Sequence, residues 1–204
     1  MQTLLALLAT ASTLGSGGDD PRTAYDVEAY YLALAIDPVR GELSGKVTMQ
    51  VRVLVESLDT LALDLTSRAR VESTQIAWQP FTNGALGATQ VVSFQHDEDR
   101  LLCRLAPRAA RADETFSLTV SYRLRRDESA RPSGLRWSTT RSGEPWIASF
   151  SQPVGAHTWW PCKSSFFHPE DKAERVALEI TVPAGLVAVS NGRLLGPGGA
   201  QALR

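Results

Sequence analysis

From Tyr25 onward, apolar and polar residues alternate along the chain with a period of two. In DVEAYYLALAI the side chains of Tyr30, Leu32, Leu34 and Ile36 fall on one face, and in KVTMQVRVLV those of Val47, Met49, Val51 and Val53 do the same. Both stretches read as half-buried strands. The connection DPVRGELSG is rich in turn formers, which predicts an antiparallel hairpin with a longish loop. Further strands are predicted at TLALDL, QIAW, VVSF, LLCRL, TFSLTVSYRL, VALEITV and LVAVS. In the longest of them, Phe116, Leu118, Val120, Tyr122 and Leu124 alternate with polar residues.

No stretch after Tyr25 sustains a helical period, and the breaks are Gly, Pro, Asn and Asp turns spaced as in a sandwich or barrel. The fold class is therefore all-β, with one domain over residues 25–204 and a leader over residues 1–24. RAARADE and HPEDKAERV are expected to form short helical turns, with Asp171 or Glu170 near an N-terminus, as connectors. The closing stretch LVAVSNGRLLGPGGAQALR presents a strand, an Asn-Gly turn at Asn191 and Gly192, and an apolar segment with no partner. It predicts a chain that stops inside a hairpin, with an open sheet edge and something missing after it.

Composition adds little. A net charge of -1 with arginines scattered singly and in pairs gives no basic face for nucleic acid. The start, MQTLLALLATASTLGSGG, holds an apolar run as long as a signal-peptide core, followed by small residues, with no Lys or Arg ahead of it. That run is too short to span a bilayer, so no transmembrane segment is expected. Export to the periplasm or outside the cell is the expectation, and the cytoplasm is the alternative. Cys103 and Cys162 are expected to be two separately buried free thiols.

Candidate chemistry centres on SQPVGAHTWWPC, for which core packing, a metal site and a pocket wall compete. His157, Cys162 and His168 form the one zinc constellation, but the spacing fits no common finger or ribbon and a fourth ligand is lacking, so a structural role is favoured. His96, in QHDEDR, reads as a solvated loop residue. There is no His-Glu-x-x-His, no Gly-x-Ser-x-Gly and no phosphate-cradling glycine loop. Trp159 and Trp160, if in a strand, point to opposite faces, so at most one faces a ligand.

The run SQPVGAHTWWPCKSSFFHPEDKAERVALEITVPAGLVAVSNGRL resembles the end of the N-terminal domain of aminopeptidase N-type zinc metallopeptidases, in particular bacterial members with a Trp-Trp-Pro-Cys-Lys and His-Pro-x-Asp-Lys-Ala pattern. SGLRWSTTRSGEPWIASF is similar to that family's Gly-aromatic-Arg strand and hairpin, and DVEAYYLALAIDPVRGELSGKVTMQV resembles its first hairpin. The resemblance implies a saddle-like antiparallel β-sandwich packed on a thermolysin-like catalytic domain, which this chain lacks and which would carry the zinc. It also implies that a residue in a Glu-Pro-x-x-Ala setting holds the α-amine of a peptide substrate. Here that position is Gln152, which accepts a hydrogen bond but brings no charge, so amine capture is weaker than with a carboxylate. The leukotriene hydrolase group also has glutamine there. His157 stands where arginine is usual, and SSFFHP replaces a shorter Asp-His-Pro. The resemblance further implies that the chain binds no zinc itself and is inactive alone, as a cleft-forming domain of a truncated or split enzyme. The alternative is an exported β-sandwich binding module.

Overall fold

The computed structural model describes residues 20–81, 86–127, 134–152, 155–164, 171–195 and 201–203. The period of two becomes a set of strands: β1 (Tyr25–Asp37), β2 (Glu42–Val53), β3 (Ser57–Leu58), β4 (Thr60–Asp64), β5 (Arg70–Ala77), β6 (Gln90–Val92), β7 (Phe94–Asp97), β8 (Arg100–Arg104), β9 (Ala110–Arg111), β10 (Thr115–Arg125), β11 (Gly134–Thr139), β12 (Pro145–Phe150), β13 (Arg175–Thr181) and β14 (Gln201–Leu203). Among the described residues the only helical pieces are two 3₁₀ turns, Pro21–Ala24 and Ala156–Thr158, and no helix is long and apolar enough to cross a membrane. The fold is all-β.

Seven strands form one sheet in the order β14-β13-β1-β2-β10-β5-β6, and three form a second in the order β4-β8-β7. β11 and β12 make a separate hairpin, and β3 pairs with β9. The inner faces of the two larger sheets meet in one core, with Val47, Met49, Phe116 and Leu118 on one side and Leu61, Leu63, Leu101 and Cys103 on the other, all without solvent exposure. This burial supplies most of the folding drive, because each fully buried aliphatic or aromatic side chain contributes about 1.5–3 kcal/mol.

β1 serves this core with residues of both parities. Tyr25 and Val27 are buried, and so are Tyr30, Leu32 and Leu34. A β-bulge between Val27 and Ala29 shifts the register against β2, so the extra residue Glu28 moves the inward face from odd to even positions. The outer face of the large sheet is covered in the middle. Thr48 and Thr119 share a buried hydroxyl hydrogen bond of 2.9 Å, the Ser117 hydroxyl donates to the Gln79 carbonyl at 3.1 Å, and Phe81 packs on Tyr31 with ring centroids 3.9 Å apart.

Several expectations need correction. The antiparallel pattern has an exception: β13 pairs with β1 in parallel, Ala29 opposite Arg175 and Ala35 opposite Thr181. VVSF is split at Ser93 between β6 and β7, which belong to different sheets. RAARADE forms β9 and a turn, because Arg111 N–H donates to the Glu114 carboxylate and ties the segment down without a helix. HPEDKAERV forms no helical turn over its described part, residues 171–176, which leads straight into β13. LVAVS is irregular: it follows a turn at Gly185, and Val187 and Val189 stand 84% and 86% exposed, with no strand pairing among the described residues. The end of the chain is not without a partner, since β14 pairs antiparallel with β13. His96 lies in β7, half-buried, with its Nε2 3.1 Å from the Leu65 carbonyl. Cys103 and Cys162 are indeed both free and buried.

Candidate functional site

The stretch SQPVGAHTWWPC leaves the end of β12 and crosses one end of the core, where backbone and side chains bolt it down from three directions. Cys162 forms an antiparallel bridge with Asp64 at the end of β4, with Asp64 N–H donating to Cys162 at 2.8 Å and Cys162 N–H returning the bond at 3.0 Å. The Thr66 N–H donates to the His157 carbonyl at 2.8 Å. From the large sheet, the Tyr122 hydroxyl donates to the Trp159 carbonyl at 2.8 Å. Its ring reaches that carbonyl by lying against Gly45, directly across the strand pair, in the space that a Cβ would fill.

Lys163 supplies the third anchor. Its N–H donates to the Tyr30 hydroxyl at 2.9 Å and its ammonium to the Tyr25 carbonyl at 2.6 Å, while the same ammonium pairs with Asp171. Asp64 completes the bracing. Its Oδ2 accepts from the Ser164 N–H and from Arg22, both at 2.9 Å, and Arg22 also pairs with Asp20. The Arg22 hydrogen bonds hold the Asp20 carboxyl down at about 2. The turn before β1 is thus part of the site's support.

Between this segment, β1 and β13 lies a cavity of about 830 Å³. Val27, Tyr30, Ala156, Trp160, Cys162 and Val176 form its apolar wall, and Ser151, Gln152, Lys163, Ser164, Asp171 and Lys172 its polar one. Trp160 meets Tyr30 edge to face, with centroids 4.9 Å apart. Trp159 stays off the cavity, its Nε1 donating to the Ser151 hydroxyl at 3.2 Å. Only one of the two tryptophans faces the cavity, but they sit in a turn after the 3₁₀ segment and not in a strand, and their rings meet edge to face with centroids 6.2 Å apart.

Gln152 is exposed and lines the cavity. His157 does not line it; the ring is half-buried against Gly155, and its Nδ1 has no hydrogen-bond partner among the described residues. Gly155 has φ +112°, a conformation that strains any other residue, and its missing side chain leaves room for that ring. His168 lies outside the described residues. Among the described residues no group of three His, Cys, Asp or Glu is placed to hold a metal ion. Burial pushes the Cys162 thiol well above its usual range, with the Asp64 charge adding to the effect, so the thiolate that zinc needs is disfavoured. The residues present do not fit a zinc site. Burial likewise raises Tyr25 and Tyr30, which remain neutral hydrogen-bonding groups.

Sequence reasoning missed Tyr30, Lys163 and Asp64 as parts of this site. Lys163 stood next to Cys162 in plain view, but only the fold shows that its ammonium turns inward to Tyr25 and Asp171. Nothing in the spacing links residues so far apart along the chain.

The sequence matches no protein-family model and no curated protein. Solved structures do match. An M1 zinc metallopeptidase from Deinococcus radiodurans is similar over 88% of this chain and 38% of its own, at 28% identity and a TM-score of 0.63. A two-domain M1 zinc metallopeptidase variant bound to L-arginine matches with the same coverage, at 29% identity and a TM-score of 0.62. Yeast LTA4 hydrolase in complex with bestatin shares the fold, at 21% identity and a TM-score of 0.62, over 93% of this chain and 28% of its own. The chain therefore spans well under half the length of the structures it matches.

Proposed function

We propose that this chain, similar to part of M1 zinc metallopeptidase structures, is the N-terminal β domain of such an enzyme, forms one wall of a peptidase's substrate cleft and receives the amino end of a peptide at Gln152. The observation that carries this reading is the placement of Gln152: an exposed amide on a cavity whose supporting segment is fixed to both sheets. Its side-chain carbonyl is free to accept from an ammonium, and its neutrality makes the contact weaker than a carboxylate's. Trp160 and Tyr30 give the cavity an aromatic wall. In this reading a thermolysin-like catalytic domain is the partner, zinc is bound there, and activation of water belongs to that domain. This chain's own residues bind and orient. Export is the proposed destination, on the strength of the apolar leader.

The test is hydrolysis of an aminoacyl anilide by the full chain, by a separately produced M1-type catalytic domain, and by the two mixed. The expected result is no turnover by the chain alone and a mixture more active than the catalytic domain by itself. Gln152→Ala then raises KM about tenfold with little change in kcat, the size of one hydrogen bond to a charged group. A mixture no faster than the catalytic domain alone overturns the proposal. If such a chain still binds peptide, the free-standing binding module is the better reading, since the cavity is built from one chain.

A further inference from the structure

Among its described lining residues the cavity beside Gln152 holds both signs of charge, but only one of them is unpaired. Among the residues lining it, Lys163 is spent: its ammonium is paired with Asp171 and donates to the Tyr25 carbonyl. Asp171, the one carboxylate on the wall, is spent on Lys163. Lys172 is exposed and makes no hydrogen bond or ion pair among the described residues, and the side chains of Gln152 and Ser164 are likewise unengaged. What remains open to a ligand among the described lining residues is therefore the Lys172 ammonium, the Gln152 amide and the Ser164 hydroxyl, beside an aromatic surface at Trp160, with no unpaired carboxylate among them.

We infer that this cavity selects ligands carrying an anionic group on a short apolar stem, and that the preferred peptides begin with an acidic residue, Glu or Asp. This rests on the proposed reception of a peptide at Gln152 and adds its substrate class. The side-chain carboxylate meets the Lys172 ammonium and the Ser164 hydroxyl as hydrogen-bond acceptor, interactions stronger than those of a neutral amide of the same shape. The α-amine meets the carbonyl oxygen of Gln152. Among the described lining residues a bare amine finds no unspent anion. Long-range attraction does not explain a preference for acidic peptides, because the whole chain carries a formal charge of -1.

The experiment is equilibrium binding of three amidated tripeptides, Glu-Ala-Ala, Gln-Ala-Ala and Lys-Ala-Ala, to the full chain by calorimetry, with the change in tryptophan fluorescence that is lost in Trp160→Phe as a second reading. The Glu peptide is expected to bind at least fivefold more tightly than the Gln peptide, and the Lys peptide most weakly. In Lys172→Gln the preference for Glu over Gln disappears. Lys172 is exposed, so this variant folds as the parent does, which matching melting curves verify. Equal affinities for Glu and Gln, a preference that survives Lys172→Gln, or no binding of any peptide each overturn the inference. An N-acetylated Glu peptide separates the two proposals. If acetylation weakens binding but Glu and Gln bind alike, amine reception at Gln152 stands and the acidic preference falls. If acetylation changes nothing while the Glu preference holds, the reverse is true.

Discussion

Gly45 carries the sharpest stability prediction, because two general rules give opposite signs there. In the middle of a strand, Gly→Ala ordinarily stabilises by about 0.5–1 kcal/mol through lost unfolded-state freedom and better strand propensity. At Gly45, a Cβ would lie 2.3 Å from Cε1, 2.5 Å from Cζ and 2.6 Å from Oη of Tyr122, a ring only 1% exposed. Restoring contact distances of about 3.5 Å demands a ring shift on the order of 1 Å in a close-packed interior. Overpacking of that kind costs about 1–3 kcal/mol. The same shift breaks the 2.8 Å bond from the Tyr122 hydroxyl to the Trp159 carbonyl, a further cost of about 1–3 kcal/mol. Gly45→Ala is thus expected to destabilise by about 2–4 kcal/mol after the propensity gain is subtracted. Urea unfolding followed by tryptophan fluorescence measures this, and the cycle with Tyr122→Leu isolates its cause. With the ring gone, adding Ala at position 45 is expected to be neutral or mildly stabilising, which makes the coupling energy at least about 2 kcal/mol. A Gly45→Ala variant more stable than the parent, or equally costly in both backgrounds, refutes the reasoning.

Asp64→Ala removes the acceptor for both Arg22 and the Ser164 N–H, so a loss of about 2–4 kcal/mol in urea unfolding is expected, with faster trypsin cleavage after Arg22 as the turn before β1 loosens. Lys163→Met is expected to cost about 1–3 kcal/mol, and Asp171→Asn to add little on top of it, because both remove the same ion pair. At the acid end, Asp20 is held at about 2 against 3.8 unfolded, chiefly by its hydrogen bond from Arg22. Its contribution is present above pH 4 and lost as pH falls through 2, so Asp20→Asn flattens the acid limb of a stability profile. At the alkaline end, burial pushes the Cys103 thiol from 9.0 to about 12. That contribution is intact below pH 9 and declines as pH rises toward 12. Between pH 8 and 10.5 the parent is expected to lose about 2 kcal/mol more than Cys103→Ala, as read from urea midpoints at the two pH values.

The strands with the cleanest alternation were legible from residue order alone, because burial of one face is a local pattern: the apolar positions of β2 and β10 are buried as their sequences indicate, while Thr48, Ser117 and Thr119 on the opposite face are also buried, which the alternation does not foretell. Legibility failed where a neighbour decided the outcome. In β1 the alternation of Tyr30, Leu32 and Leu34 was read correctly, while the bulge at Glu28 that brings Tyr25 and Val27 to the same core left no mark in polarity. The segment 186–190 has strand composition and is not a strand, since a strand needs a partner to take its backbone hydrogen bonds and none pairs with it among the described residues. At the site, Trp160 was singled out by its residue type and Gln152 only through the resemblance to the aminopeptidase N family. Lys163, Asp171 and Asp64 were not recognised as its braces, because their roles follow from contacts with Tyr25, Arg22 and Ser164 that only the folded chain creates.

The parallel pairing of β1 with β13 dictates an order of events during synthesis. As the chain leaves the ribosome, β1 and β2 emerge together and their hairpin can form early, since its contacts are local. The far edge of β1, however, has to wait until β2 through β12 have followed, because the residues that cover positions 29–35 are 175–181. For that interval an edge rich in Tyr, Leu and Ala stays open to any other strand, including that of a neighbouring nascent copy. Arrival of β13, together with the Lys163 and Cys162 anchors just before it, closes that edge and walls the cavity in the same step. Maturation of the binding site and protection from misassociation are therefore a single late event for this chain.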